Sequence, residues 1–553
     1  MAVPPIQRPP HQARLSNSWL PDIVLGLLVV ASLPLAVVSI PNTLSVVARL
    51  LPDDLEQAGL MRTNGLSLPA LMLTVPLVAA ALRRVPAPHL LLGGLALVAL
   101  SEAAGGYAGS ELLVGVVRVL RGVGAGIILT ATLAAVWHRA AVLRALWAGT
   151  FGLSLLTAQA LALWPLDAVS SWRVTLQPYP LVTGIALGLA AVHLVAWTLA
   201  GRPAGPVPSV KERGRLLLTA VPAAGIAALA ISTATEGWRA VPVMVLAVVA
   251  ILGLLAMASI GVSESRTSAY TMVAIGAVLL PSAAQVTLVE MGGLGGPGLR
   301  GLWVPYAVAG VLAIVASVGV RLFARGAGRR VASLGLLAMV AGLCSVRLVV
   351  PSADGMVLTV PFSLLAVGAA VAVTAALQGV GAGAAMSALS LGCAGVLAGF
   401  LLGTGVQMAM LDGVRSAQEL VDSFVGALHW WALASGFLLV MIIVLAAVMA
   451  RRPGRGVLAD EPEGPEAPPD VPCAGLPPAD VLLVRGDGLG GPDGDEGVRA
   501  DGDDEPSTVA IPRIGAAVSG PAGGSVAGAG GAPAAVPPAV PPQGQSPEDV
   551  TSA

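Results

Sequence analysis

Charge, lysine, cysteine and aromatic rings are all scarce in this 553-residue chain, and the scarcities narrow what it can be. Charged residues make up 11% against 56% hydrophobic, a balance that water-soluble folds of this size do not keep. The three cysteines, Cys344, Cys393 and Cys473, stand far apart without metal-ligand spacing, which leaves no disulfide framework and no zinc site. His138, His193 and His429 have no second ligand in register, so no metal is expected. His-Glu-x-x-His and the glycine-rich Lys-Ser/Thr loop are missing, which argues against a zinc protease and an ATP-driven pump; no cofactor and no nucleic-acid partner is expected. Lys211 is the sole lysine, and the heavy use of Arg, Ala, Gly, Val and Pro is the mark of GC-rich, bacterial coding. The first apolar run follows Arg8 and Arg14 but lacks a small-residue cleavage site, so it reads as a spanning helix and not a removable signal.

What the chain has in quantity is apolar runs. A helix needs about 20 mainly apolar residues to cross a bilayer core roughly 30 Å thick, because it must satisfy its own backbone polar groups there. Fourteen such runs are predicted, at 22–46, 58–81, 88–107, 112–136, 142–164, 178–200, 216–235, 240–262, 270–290, 303–323, 331–350, 357–377, 384–410 and 427–450. The expected fold class is an all-α polytopic membrane protein, with the lipid bilayer as its first partner.

Arginine placement predicts orientation, since short cytoplasmic loops retain positive charge. Alternate connections carry Arg83 and Arg84, Arg139 and Arg144, Arg202 to Arg215, Arg266, Arg321 to Arg330, and Arg451 to Arg455. The opposite set carries Asp53, Asp54 and Glu56, Glu111, Asp167, Glu236, and Asp412, Glu419 and Asp422. Both termini are thus expected in the cytoplasm of a plasma (inner) membrane protein. The near-zero net charge hides a division: 24 basic against 15 acidic residues up to Ala450, then 6 against 16. From Arg451 onward, acidic clusters and Ala/Gly/Pro repeats cannot bury enough apolar surface to offset chain entropy, so a disordered tail is expected; its partner is unknown.

The most informative polar residue within an apolar run is Arg118, about two turns into the fourth. A charge at such depth normally faces a bundle interior or an aqueous cavity. Gly122, Gly124, Ala125 and Gly126 follow it and let a neighbouring helix approach closely. Arg118 and Arg121 are therefore expected to offer cations to a central cavity; the competing reading has Arg118 snorkelling to the outer interface. Gln159, Gln285 and Gln407 either line such a cavity or hydrogen-bond a neighbouring helix. Glu102 and Glu290 read as acids at the outer edges of helices three and nine, with Glu290 the remaining candidate for proton coupling. Pro34, Pro41, Pro281 and Pro305 permit kinks. Trp430 and Trp431 are expected to be interfacial anchors.

Arg118 to Ala125 resembles the fourth-helix motif of the major facilitator superfamily, particularly its fourteen-helix drug/proton antiporter branch, where Arg, then Gln, Gly, Gly and Ala recur at this spacing. Ser39-Ile40-Pro41 is similar to that branch's Ala-Leu-Pro. Ser171-Trp172-Arg173 resembles its Ser-Trp-Arg, and Arg325-Gly-Ala-Gly328-Arg329-Arg330 resembles its Asp-Arg-x-Gly-x-Arg loop. The resemblance implies two six-helix bundles, at 19–200 and 267–450, around a central cavity. Two further helices lie in a linker at 201–266, between a cytoplasmic segment at 1–18 and the tail at 451–553. The chain departs from the family at Ser32, where an intramembrane Asp is usual, at Arg121 for Gln, at Thr130 for Pro, and at Ala324 for the loop Asp. The exporter signature Gly-Pro-x-x-Gly-Gly is replaced by Leu155-Leu-Thr-Ala-Gln159-Ala-Leu.

The resemblance implies a secondary active exporter, not an enzyme, working by alternating access with protons as the candidate coupling ion, and an apolar cavity with one or two arginines suits small amphipathic or anionic organic molecules better than cations. Arg118, Arg121, Gln159, Gln285 and Gln407 would line its pathway. The rival expectation is a transport-inactive membrane scaffold or sensor acting through its tail. A transferase using the paired acids Asp53 and Asp54 is disfavoured by the shortness of their loop.

Overall fold

In the computed structural model the described residues are 19–451, apart from 42, 44–62, 64, 169–170, 203–209, 234–237, 261–262, 292–295 and 325. The predicted N-terminal segment, the loop bearing Asp53, Asp54 and Glu56, and the predicted disordered tail from residue 452 lie outside them. Among the described residues there are fourteen α-helices and no strand. The first half runs α1 (Trp19–Val37), α2 (Ser67–Ala81), α3 (Ala87–Gly105), α4 (Glu111–Trp137), α5 (Ala141–Ala168) and α6 (Pro180–Leu199). Then come α7 (Val210–Thr233) and α8 (Ala240–Ala258). The second half runs α9 (Ser263–Glu290), α10 (Gly298–Phe323), α11 (Gly328–Val349), α12 (Thr359–Ala376), α13 (Ala382–Leu411) and α14 (Ala417–Arg451). Each predicted span meets one of these helices. Thirteen are long and apolar enough to cross a bilayer, α6 being counted with the short 3-10 helix Trp172–Leu176 before it; α2 is the short one, at 15 described residues.

Local chemistry sets the boundaries. Ser110 caps α4, its hydroxyl accepting from the Leu113 amide at 3.3 Å, and Glu111 places a negative charge in the first turn. Proline opens α3 and α6, where a missing amide hydrogen costs nothing. Several buried hydroxyls inside helices bond back to their own backbone, as Thr130 does to the Gly126 carbonyl at 2.9 Å, and those add no orphan donor to the membrane interior. Pro34, Pro281 and Pro305 lie inside helices, whereas Pro41 falls beyond the end of α1.

In the first half α4 packs on α2 and α3, and α1 on α5 and α6; in the second, α9 packs on α13 and α14, and α12 on α10 and α11. The halves meet where α5 lies against α9, α10 and α12, and where α2 meets α13. The inserted α7 contacts both α2 and α13, and α8 packs on α13, so the extra pair stands along one edge of the junction.

Contacts define two ends of the bundle. At the basic end Arg139 pairs with Asp22 of α1 at 3.4 Å, and Arg266 donates to the Met449 carbonyl at 3.5 Å. At the acidic end Arg173 donates to the Ala108 carbonyl at 3.1 Å, and His429 meets the Val350 carbonyl at 2.9 Å. Trp430 is 61% exposed, as an anchor would be, but Trp431 is fully buried and donates its indole N–H to Ser282 on α9 at 2.9 Å. The expectation for Trp431 is thus corrected: successive residues of a helix point about 100° apart, so one tryptophan of the pair faces out and the other into the core.

Candidate functional site

The four small residues after Arg118 do what their size allows. Gly122 and Gly126 face α2, where a side chain on Gly122 would collide with the Ser67 carbonyl and one on Gly126 would stand 2.7 Å from the Leu71 carbonyl. Gly124 faces α3, 3.0 Å from the Gly94 carbonyl by the same measure. Ala125 is fully buried. α4 is thereby clamped between two neighbours, and its two arginines are carried into the packed interior.

Arg121 is 1% exposed and pairs with Glu102 of α3, which is 2% exposed, at 3.5 Å. It also donates to the Leu176 carbonyl at 3.2 Å. Glu102 is therefore not an acid at a loop edge but half of a buried ion pair. The Ser-Trp-Arg segment has a visible role here, since Trp172–Leu176 forms a 3-10 helix that closes this end of the first half. It is held by Arg121 at Leu176, and Arg173 stacks over the Trp172 ring at 5.7 Å.

Arg118 is 2% exposed, and its Nε is buried without a hydrogen-bond partner. Eleven residues make three helical turns, so Arg118 shares a face of α4 with Leu129. Leu129 lines the seam between the halves, together with Val37, Leu71, Phe151, Met272 and Val396; the seam leaves a void of only about 10 Å³. That void is apolar, and the expected broad central cavity is not open in this conformation. Gln159 lies one turn from Leu155, another seam residue, towards the acidic end; its side-chain nitrogen is buried without a partner. Arg118 and Gln159 thus sit on seam-facing sides of α4 and α5, beyond the apolar plug. Ser32, at the position of the family's Asp, is buried with its hydroxyl unpartnered.

The remaining expected residues belong to the second half. Gln285 of α9 points at α13, its side-chain nitrogen 2.8 Å from where a side chain on Gly403 would begin, and its oxygen is unpartnered. It is a helix-packing residue as much as a lining one. Gln407 is half-buried on α13, three turns from Val396. Glu290 ends α9 and is fully buried; one carboxylate oxygen accepts from the Ser352 amide at 3.1 Å and the other has no partner. One turn earlier Thr287 bonds the Tyr306 hydroxyl at 2.7 Å.

A larger cavity, about 290 Å³, opens at the basic end between α7, α8, α9 and α13. Its wall mixes Glu212, Thr219, Ser265 and Ser387 with apolar residues such as Met257 and Leu391. Behind it the Thr219 and Ser390 hydroxyls meet at 3.0 Å. Nothing in the sequence pattern marks this cavity, because its wall comes from four separate helices. Among the described residues no cluster of side chains could hold a metal ion.

No protein-family model and no curated protein sequence matches the chain. Solved structures do. The human organic anion transporter MFSD10 (TETRAN) is 15% identical, with a TM-score of 0.47 over 79% of this chain and 100% of that one. The proton:xylose symporter XylE, solved with 6-bromo-6-deoxy-D-glucose, is 14% identical, with a TM-score of 0.50 over 77% of this chain and 95% of that one. This multi-pass chain has the fold of the major facilitator superfamily.

Proposed function

We propose that the protein is a secondary active transporter that exports small amphipathic organic molecules by alternating access, with its basic end and both termini in the cytoplasm of the plasma membrane. The observation that carries this reading is Arg118. An unpaired guanidinium inside a membrane bundle is expensive, and a scaffold has no use for it. A pathway that opens between the halves would bring Arg118, Gln159 and Gln407 to its wall, with Arg121 held behind them by Glu102. An arginine in an otherwise apolar pathway favours amphipathic molecules with an anionic group. The cavity between α7, α8, α9 and α13, lined by apolar residues and hydroxyls beside Glu212, gives the apolar part of such molecules an approach at the basic end.

The test is movement of a panel of amphipathic dyes and drugs, anionic members included, in inverted vesicles with and without a proton gradient. Gradient-dependent movement is expected, falling at least tenfold in Arg118→Met, a loss of about 1.4 kcal/mol or more of pathway interaction. The variant should match the wild type in abundance and elution volume. Folded wild-type protein that moves no member of the panel would overturn transport and leave the scaffold reading.

Glu290 is the proposed coupling acid, with one oxygen held by the backbone of the loop after α11 and the other free to take a proton. Glu290→Gln keeps the shape and removes the charge. It is expected to abolish uphill, gradient-driven movement while leaving exchange of labelled for unlabelled substrate within about twofold, because exchange needs no net proton transfer. Equal loss of both would show that the residue serves structure and not coupling.

A further inference from the structure

At the basic end, α5 meets α10 and α12 around a small cleft lined by Arg144, Ala145, Arg321, Thr374, Leu377 and Gln378. Arg144 comes from the first half and the other polar groups from the second. Both arginines are partly buried, and the Nε of each is shielded from solvent without a hydrogen-bond partner; so is the Thr374 hydroxyl. Gln378 spends its amide on a long contact, 3.5 Å, to the Val320 carbonyl. Arg144 also lies 5.5 Å over the Trp137 ring, which fixes its direction. Among the described residues neither ion pair, Arg121 with Glu102 or Arg139 with Asp22, gives Arg144 or Arg321 a carboxylate.

Two guanidinium groups facing one cleft repel each other, and neither can accept a hydrogen bond. The arrangement offers several donors and no negative charge, which is what an oxyanion requires. We propose that Arg144 and Arg321 hold a phosphate-type oxyanion that ties α5 to α10 and α12 across the junction of the two halves. The enclosed volume, about 10 Å³, admits no more than a water-sized group. The anion therefore inserts one oxygen towards the Thr374 hydroxyl and keeps its bulk at the mouth, where the arginines remain partly exposed. The phosphate is either a free ion or the headgroup of a phosphomonoester lipid. Binding turns a repulsion between the halves into an attraction and so favours the conformation closed at this end.

The intact protein is purified and its thermal unfolding midpoint followed in two arms: in detergent with inorganic phosphate against chloride at matched ionic strength, and in nanodiscs of phosphatidylcholine with and without phosphatidic acid. A rise of about 2–4 °C is expected in at least one arm. A rise with phosphatidic acid alone assigns the headgroup, and a rise with phosphate assigns the free ion. The response should vanish in the double variant Arg144→Gln/Arg321→Gln. Arg321→Glu, which supplies a carboxylate in place of the anion, should be at least as stable as the wild type and indifferent to both additives. No rise in either arm, or an equal rise in the double variant, would overturn the proposal.

Discussion

Replacing Glu102 with alanine is expected to destabilise the protein by about 3–5 kcal/mol, because it strands the Arg121 charge in the packed interior of the first half. Arg121 is 1% exposed and cannot reach the membrane surface without unpacking α4 from α3, since Gly124 and Gly94 hold the two backbones in close contact. The pair itself is not the source of the effect. Two buried charges repay little more than their own desolvation, and an apolar replacement of both is often neutral. The double variant Glu102→Ala/Arg121→Met should therefore regain most of the loss, short of the bond from Arg121 to the Leu176 carbonyl, worth about 1 kcal/mol. Thermal unfolding in detergent measures both. A single variant as stable as the wild type would show that Arg121 is solvated in solution, and a double variant no better than the single would place the role of Glu102 outside this pair.

The contrast between Glu102 and Arg118 shows what a one-dimensional reading can reach. Each spanning helix is specified by its own run of apolar residues, so each of the fourteen predicted spans meets one of the fourteen helices. The main departures are α1, which ends at Val37 where the span runs on to 46, α2, whose described helix starts at Ser67 and not at residue 58, α9, which starts at Ser263 and not at residue 270, and α14, which starts at Ala417 and not at residue 427. Gly122, Gly124 and Gly126 stand where an added side chain would meet α2 or α3, and the sequence pattern points to such close approach because the small residues and the charge they accompany lie within three turns of one helix. Pairings between helices carry no such signal. Glu102 and Arg121 are 19 residues apart on α3 and α4, and Trp431 finds Ser282 across 149 positions. Arg144 and Arg321 belong to different halves, and each read alone is an ordinary basic residue near a loop of the basic end. The fold decides which of these residues meet. The closed seam was hidden too, because Val37, Leu129, Phe151 and Val396 are indistinguishable in sequence from residues that face lipid.

Gly122→Ala is expected to destabilise the protein by about 3 kcal/mol, the upper end of what overpacking a close-packed interior typically does. The added methyl group would overlap the carbonyl of Ser67 and stand 2.9 Å from the Ala70 side chain. A flexible side chain could turn away, but a backbone carbonyl cannot move without carrying α2 with it. The Ser67 hydroxyl ties that turn of α2 to the Ser39 carbonyl, so the displacement passes on to the residues just beyond α1. Gly93→Ala on α3 is the matched control, with open space around the new methyl group and a helix propensity gain of about 0.5–1 kcal/mol. The two alanines should thus shift the thermal midpoint in opposite directions, and equal shifts would mean that α2 and α4 are not in contact at Gly122. A functional consequence follows from position, because Leu71 and Leu129 stand at the seam on the two helices that Gly122 holds together. Moving α2 away from α4 loosens that plug from one side, so Gly122→Ala protein that still folds should leak panel dyes down their gradients faster than the wild type.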